Sequence, residues 1–390
     1  MKFTSFLKEA SVGASEEKLT HLEHAEDHHI NAGAEGFNHA FDTLHQTHEL
    51  IAGRKSKASV SLKLDGSPSI VFGTHPETGK FFVASKSAFN ATPKLNYTPE
   101  DVEKNHGHAP GLVSKLKAAL QHLPKVSPKE GVFQGDFMYN KDDGDIRSEG
   151  GKHHFTPNTI SYSIPHNHEE GKKIDKAKIG VAIHTAYKGP TLNSMKAEYN
   201  ADTSGFKDHP DVHLISPKVD HKSLSYSNKA QEEFKKHMSM ALEAHGQHKN
   251  YEHLTGHQDH LKTYINSTVR DGTSPSLEGY HAHIKRHYEK KAAGVKGEAA
   301  KQRHLATGEE LVKQSSKKSK LFNATLAVHQ HLQKAKNVLN KVLSSKTTYG
   351  HHVGGKEVKP EGFVTVINNR PSKIVDRDEF SRLNFQSRPR

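Results

Sequence analysis

The sequence predicts an α+β fold in which a β-rich body is interrupted by a long helical segment. Three observations carry that prediction. Apolar, β-branched and aromatic residues gather into short strand-like runs within 58–90, 130–138, 178–188, 362–367 and 373–376. Strand signals vanish over residues 191–348, where polar helical patterns take over. Late in that stretch, Leu321, Thr325, Val328, Leu332, Ala335, Leu339 and Val342 recur at alternating fours and threes, the stripe of a helix packed on partner helices. The expected division is a leader-like segment (1–15), a first part of the β-rich domain (16–190), a helical insertion (191–348) and closing strands (349–390).

In chain order, Met1 to Ala10 reads as a short amphipathic helix with Phe3, Phe6 and Leu7 on one face. A Gly-Ala-Ser break follows it. The segment resembles the capsid-targeting leaders of proteins packaged into the heads of T-even-like tailed phages, which implies cleavage between Glu9 and Ala10. The alternative is a helix docked on the domain. Residues 16–52 read as helices, with Phe37, Ala40, Phe41, Leu44 and Ile51 at helical spacing. Residues 111–122 form a helix around Leu112, Leu116 and Leu120. The stretch Lys141 to Lys152, rich in Asp and Gly, reads as a turn. A short apolar piece, Thr159 to Ile164, precedes the strand Ile179 to Tyr187.

Composition narrows the chemistry. Among 390 residues there is no cysteine and no tryptophan, which removes thiolate metal sites, disulfides and cysteine nucleophiles together. No apolar run approaches a membrane span and no secretory signal opens the chain, so a soluble, non-secreted protein without a membrane partner is expected. The formal charge of +12 favours polyanionic partners. Much of it lies in two runs, Lys285, Arg286, Lys290, Lys291, Lys296, Lys301 and Arg303, then Lys313, Lys317, Lys318 and Lys320. Each run is either a phosphate-binding face or a solvated helix face. Tyr264, Tyr280 and Tyr288 interleave with the basic residues, as base-stacking side chains would. The 33 histidines are scattered, a compositional bias expected to raise net charge steeply below about pH 6.5. His253 and His257 have the i,i+4 spacing of helical metal-binding pairs.

The most informative segment is Lys63-Leu64-Asp65-Gly66-Ser67. Val60, Leu62, Leu64, Ile70, Val71 and Phe72 flank a Gly-Ser-Pro-Ser break, which reads as strand, tight turn, strand. Lys63 then stands at a strand end with Asp65 two residues on, so both side chains are expected on one face. A lysine held in a cleft can act as a nucleophile. Three fixed residues mean little alone, but other segments follow in order: Phe81 to Lys86, Val132 to Phe137, Pro360 to Val366, and Ser372 to Val375.

Together these resemble the covalent nucleotidyltransferase superfamily of ATP-dependent DNA ligases, RNA ligases and mRNA-capping enzymes. The resemblance implies antiparallel sheets around a nucleotide cleft. It implies that Lys63 forms a lysyl-AMP phosphoramidate from ATP, with Asp65 and Lys373 as further catalytic residues. Nucleotide binding would fall to Lys63, Gly66, Lys86, Asp136, Glu361 and Lys373, and Mg²⁺ to Asp136 and Glu361. Lys86 and Lys373 would neutralise phosphate oxygens.

The details point towards RNA. Pro68 stands where DNA ligases carry an arginine, and Lys-x-Asp-Gly-Ser with Glu361-Gly362-Phe363-Val364 resembles the phage RNA ligases. The 17 residues after Lys373 in this sequence are too few for the OB-fold that DNA ligases and capping enzymes place there. Val375 occupies the place of the family's second lysine, and Lys359 or Arg377 are candidates for the missing charge. The expectation is a polynucleotide ligase of a tailed phage, acting in the host cytoplasm on RNA or nicked duplex ends. If the leader holds, the protein would also be packaged in the phage head. The competing expectation is an inactive, packaged nucleic-acid-binding protein that keeps the ligase fold.

Overall fold

The computed structural model describes residues 22–247 and 250–377. The leader-like segment at 1–15 lies outside the described residues.

After a 3₁₀ turn at Ala25–Asp27, the chain forms α1 (His28–Ile51), β1 (Ser59–Leu62), β2 (Ser69–Thr74) and β3 (Phe81–Ala84). Then come α2 (Pro99–His106), α3 (Pro110–His122), β4 (Val132–Asn140), β5 (Ile146–Glu149), β6 (Lys152–Phe155), β7 (Ser161–Pro165) and α4 (Glu169–Lys176). Next are β8 (Ile179–Lys188), β9 (Lys196–Tyr199), β10 (Val212–Ile215), and the helices α5 (Asn228–Gly246), α6 (Gln258–Asp271), α7 (Leu277–Ala293), α8 (Glu298–Lys317) and α9 (Ser319–Leu343). The closing strands are β11 (Gly350–Val353), β12 (Lys356–Val358), β13 (Gly362–Ile367) and β14 (Arg370–Val375). No helix among the described residues is long and apolar enough to cross a membrane.

Among the described residues the strands form three sheets. The first runs β1-β13-β14, the second β10-β8-β4-β2-β3 with β9 on β8, and the third β12-β11-β7-β6-β5. All pairings are antiparallel except β8 with β10, which is parallel. The fold class is therefore α+β, and its first sheet joins β1 to strands about 300 residues later: Leu62 pairs with Phe363.

Side-chain alternation along the strands explains how the layers stack. Val60, Phe363 and Ile374 leave the first sheet on the side packed by α1, α5 and α9, where Phe37, Leu44, Phe234, Met238, Leu332 and Leu339 complete a core. Their neighbours Ser61, Val364 and Lys373 leave on the opposite side. In the second sheet, Ile70, Phe133, Phe137 and Val181 point towards Val102, Val113 and Leu116 of α2 and α3. Ser69, Gln134, Asp136 and Ala182 point the other way. The two polar faces enclose a cavity.

Several expectations change. Lys141 to Lys152 is not a simple turn: β5 begins inside it and pairs with β6 through the Gly150-Gly151 connection. Strand pairing also continues past residue 191, because β9 and β10 both join β8, so the all-helical stretch starts at α5. The stripe on α9 is core, with Thr325, Val328, Leu332, Ala335, Leu339 and Val342 buried. Tyr264, Tyr280 and Tyr288 are buried too, packed with Leu261, Ile284 and Phe322, and offer no exposed platform for bases. His253 and His257 do not share a helix. His253 sits in a 3₁₀ turn and bonds Thr325 Oγ1, while His257 precedes α6 and bonds the Tyr280 hydroxyl. Burial also holds His29, His257 and His351 well below the ordinary histidine range, so the net charge climbs later on acidification than composition suggests.

Candidate nucleotide site

The cavity between the first two sheets has a volume of about 420 Å³, within the range of small-molecule sites. Lys63, Gly66, Lys86, Asp136 and Lys373 all line it, although they come from four separate segments of the chain.

Lys63 follows the last residue of β1. Its backbone N–H donates to the Gly362 carbonyl at 2.9 Å, and its Nζ donates to Glu361 Oε2 at 2.5 Å. Glu361 thus reaches the site through Lys63. Gly362 lets β13 start close against β14: its φ is +149°, and a Cβ there would lie 2.6 Å from the Ile374 carbonyl oxygen. Gly66 answers a second close approach, since a Cβ on it would meet Asp136 Cβ at 2.5 Å and Met138 Sδ at 2.7 Å.

Asp136 lies in the middle of β4, its nearest ion-pairing neighbour being His184 Nε2 at 3.7 Å. That gap leaves the carboxylate lone pairs open to the cavity. His184 is there because of an irregularity in the β4–β8 ladder: Gln134 faces Thr185 and Gly135 faces Ile183, so His184 is the extra residue of a bulge. Gln134 donates to Ser69 Oγ at 2.9 Å and accepts from the Tyr187 hydroxyl at 2.5 Å, which fixes the cavity floor. Lys86 opens a 3₁₀ turn after β3 and stands exposed at the mouth.

Lys373 projects from β14. Burial, and then the Lys63 charge beside it, pull its ammonium below the ordinary lysine range, with Glu361 opposing them. Its strand is clamped from behind. The Lys373 N–H donates to the Glu23 carbonyl at 2.8 Å, Asn340 Nδ2 donates to the Ile374 carbonyl at 2.7 Å, and Ser372 Oγ meets His28 Nε2 at 2.9 Å.

Three sequence-predicted placements differ. Asp65 does not share a face with Lys63, because β1 ends at Leu62 and strand alternation no longer applies. Its carboxylate accepts from Asn158 Nδ2 at 3.1 Å and Thr159 N at 3.2 Å, outside the cavity lining. Arg377 does not supply a second cation: it is 4% exposed and bonds both oxygens of Asp27 at 2.9 and 3.1 Å. Lys359 is exposed and does not line the cavity either. Val375 faces an apolar cluster with Leu64 and Met138, where a lysine would be buried rather than presented to a ligand.

The residues fit a Mg²⁺ ion held by the Asp136 carboxylate with phosphate and water oxygens, the mixed coordination that this ion prefers. Glu361 Oε2 is engaged by Lys63 instead. Sequence reasoning missed Gln134, His184, Tyr187, Tyr199 and Asn200 on the lining. A polar pair, His184-Thr185, inside the apolar run of β8 was the available signal.

A family model matches residues 19–388: DUF6267, a family of unknown function. The chain belongs to the DUF6267 family. No curated protein and no solved structure matches it.

Proposed function

We propose that this DUF6267 protein is an ATP-dependent nucleotidyltransferase that carries AMP on Lys63 and delivers it to a nucleic-acid 5′-phosphate, as a polynucleotide ligase does. The observation that supports it most is the convergence of Lys63, Lys86, Asp136 and Lys373 on one cavity, with Glu361 brought to Lys63 from the far end of the sequence.

In the proposed first step, Lys63 Nζ attacks the α-phosphorus of ATP. A P–N bond forms, the P–O bond to the β-phosphate breaks, and pyrophosphate leaves. Glu361 Oε2 is the acceptor in reach of the Nζ proton. Lys373 and Lys86 offset the charge of the phosphate oxygens. A bound Mg²⁺ would polarise the α-phosphoryl oxygens and shield the departing pyrophosphate. In the second step a 5′-phosphate oxygen attacks the adenylyl phosphorus, the P–N bond breaks, and Lys63 regains its proton. Displacement of AMP by a 3′-hydroxyl then seals the strand. The exposed Lys285, Arg286, Lys290 and Lys291 of α7 and Lys313 and Lys317 of α8 provide a phosphate-binding surface for an RNA or nicked duplex.

The apolar setting of Val375 favours a second reading, a nucleic-acid-binding protein that retains the site without turnover. One incubation separates them. The protein with α-labelled ATP and Mg²⁺, run on a denaturing gel beside Lys63→Ala, yields a Lys63-dependent labelled band if the proposal holds. No band with ATP or GTP overturns it in favour of the binding protein.

A further inference from the structure

A second constellation lies in the third sheet, away from the cavity. His153 points into the buried side of β6 and is 4% exposed. His166 is the first residue after β7, diagonal to it across the β6–β7 ladder, and the two rings stand 4.2 Å apart between centroids. Asp175 sits in the last turn of α4, with Oδ1 3.0 Å from His153 Nε2. The Nε2 atoms of both histidines are shielded from solvent; His153 Nε2 has Asp175 as its one polar neighbour, and His166 Nε2 has no hydrogen-bond partner. Such an orphaned nitrogen is costly unless something else satisfies it. On the other side of the ring, His153 Nδ1 meets Ser148 Oγ at 3.4 Å, which leaves Nε2 facing Asp175. The nearby Lys141 ammonium is turned away, onto the carbonyls of Ile174 and Asp175.

We propose that His153, His166 and Asp175 bind a divalent first-row transition-metal ion, with the remaining coordination positions left to water. Two imidazoles and one carboxylate suit Zn²⁺ and its neighbours, and exclude the all-oxygen preference of Ca²⁺ and Mg²⁺. Ligand atoms about 2.1 Å from a tetrahedral ion stand about 3.4 Å apart, a few tenths of an ångström more than the 3.0 Å between His153 and Asp175. The Asp175 side chain is 54% exposed and free to turn as the third ligand closes. The triad with ligand atoms already within 4.8 Å of one another among the described residues is Glu26, Asp27 and His329, and Lys336 and Arg377 neutralise its carboxylates. An ion at His153 would tie β6, the end of β7 and α4 together.

The test is calorimetric titration of the chelator-treated full chain with Zn²⁺, comparing wild type, His166→Ala, Asp175→Asn and the control His331→Ala. His331 faces His237 at 3.3 Å, a second histidine pair, between α5 and α9, away from the proposed site. The proposal expects one tight equivalent, weakened at least ~10-fold in His166→Ala and Asp175→Asn and unchanged in His331→Ala, with metal-free unfolding midpoints matching wild type. A visible Co²⁺ ligand-field band that saturates at one equivalent is the second readout. Tight binding that survives both substitutions, or no tight equivalent and no Co²⁺ band, overturns it.

Discussion

Replacing Lys336 by Met tests the interior that holds β14, and through it Lys373, in place. Lys336 and Glu26 have no exposed side-chain surface and meet at 2.5 Å. Burial pushes the Glu26 carboxyl up, and the Lys336 charge, with smaller help from His24 and Arg377, more than offsets that, holding it below the usual carboxylate range. Lys336→Met leaves Glu26 buried with Arg377, 3.7 Å away, as a remaining cation. Breaking one side of a buried pair costs about 3–5 kcal/mol, and the residual Arg377 contact places this case near the lower end. Lys336→Met/Glu26→Leu removes both charges and should recover most of the loss, since apolar replacement of a buried pair is often neutral. The assay is urea unfolding of wild type and both variants. The pH dependence has a definite sign. Without Lys336 the folded pKa of Glu26 rises above its unfolded value, so protonation favours the folded variant and the deficit is larger near pH 8 than near pH 5. A Lys336→Met cost below about 1 kcal/mol, or a double variant no better than the single, would refute the buried-pair account.

Further outcomes follow from the site. Gly66→Ala forces a Cβ against Asp136 and Met138; a stability loss of about 1–3 kcal/mol in chemical denaturation, together with loss of the ATP-derived label, is expected. Lys373→Met should lower label formation on the order of 10²-fold while leaving the unfolding midpoint near wild type, read by gel and by denaturation in parallel. Asp65→Asn should disturb stability more than labelling, because its carboxylate serves Asn158 and Thr159, whereas Asp136→Asn should do the reverse. His257 is buried and held at about 4 by burial, partly opposed by Gln314, with His260 adding to the depression. The unfolded chain therefore takes up that proton first, and stability falls by about 2 kcal/mol for this group as pH drops from about 7.5 to 5. His257→Gln should flatten that slope in pH-dependent unfolding.

The parts legible in the sequence were those whose pattern is enforced by burial on one face. The strands β1, β2, β4, β8, β13 and β14 alternate or run apolar, and the α9 stripe has coiled-coil spacing. The parts that were not legible owe their state to partners. Lys152–Phe155, Lys196–Tyr199 and Gly350–Val353 are short and polar, and they become strands because β7 and β8 offer edges for them. Asp65 was misplaced because alternation was carried three residues past the end of β1. His184 reaches the cavity through a bulge, which has no signature in spacing. The i,i+4 series Tyr280, Ile284, Tyr288 marks a buried helical face, and the basic residues between these positions simply occupy the solvent side.

The most direct test of the central claim is to locate the nucleotide on the chain. After incubation with ATP and Mg²⁺ and removal of free nucleotide, digestion and tandem mass spectrometry should place an AMP increment on the peptide containing Lys63, and on no other lysine. An increment on Lys373, Lys86 or a surface lysine, or none on a chain shown to bind ATP, would contradict Lys63 as the nucleophile.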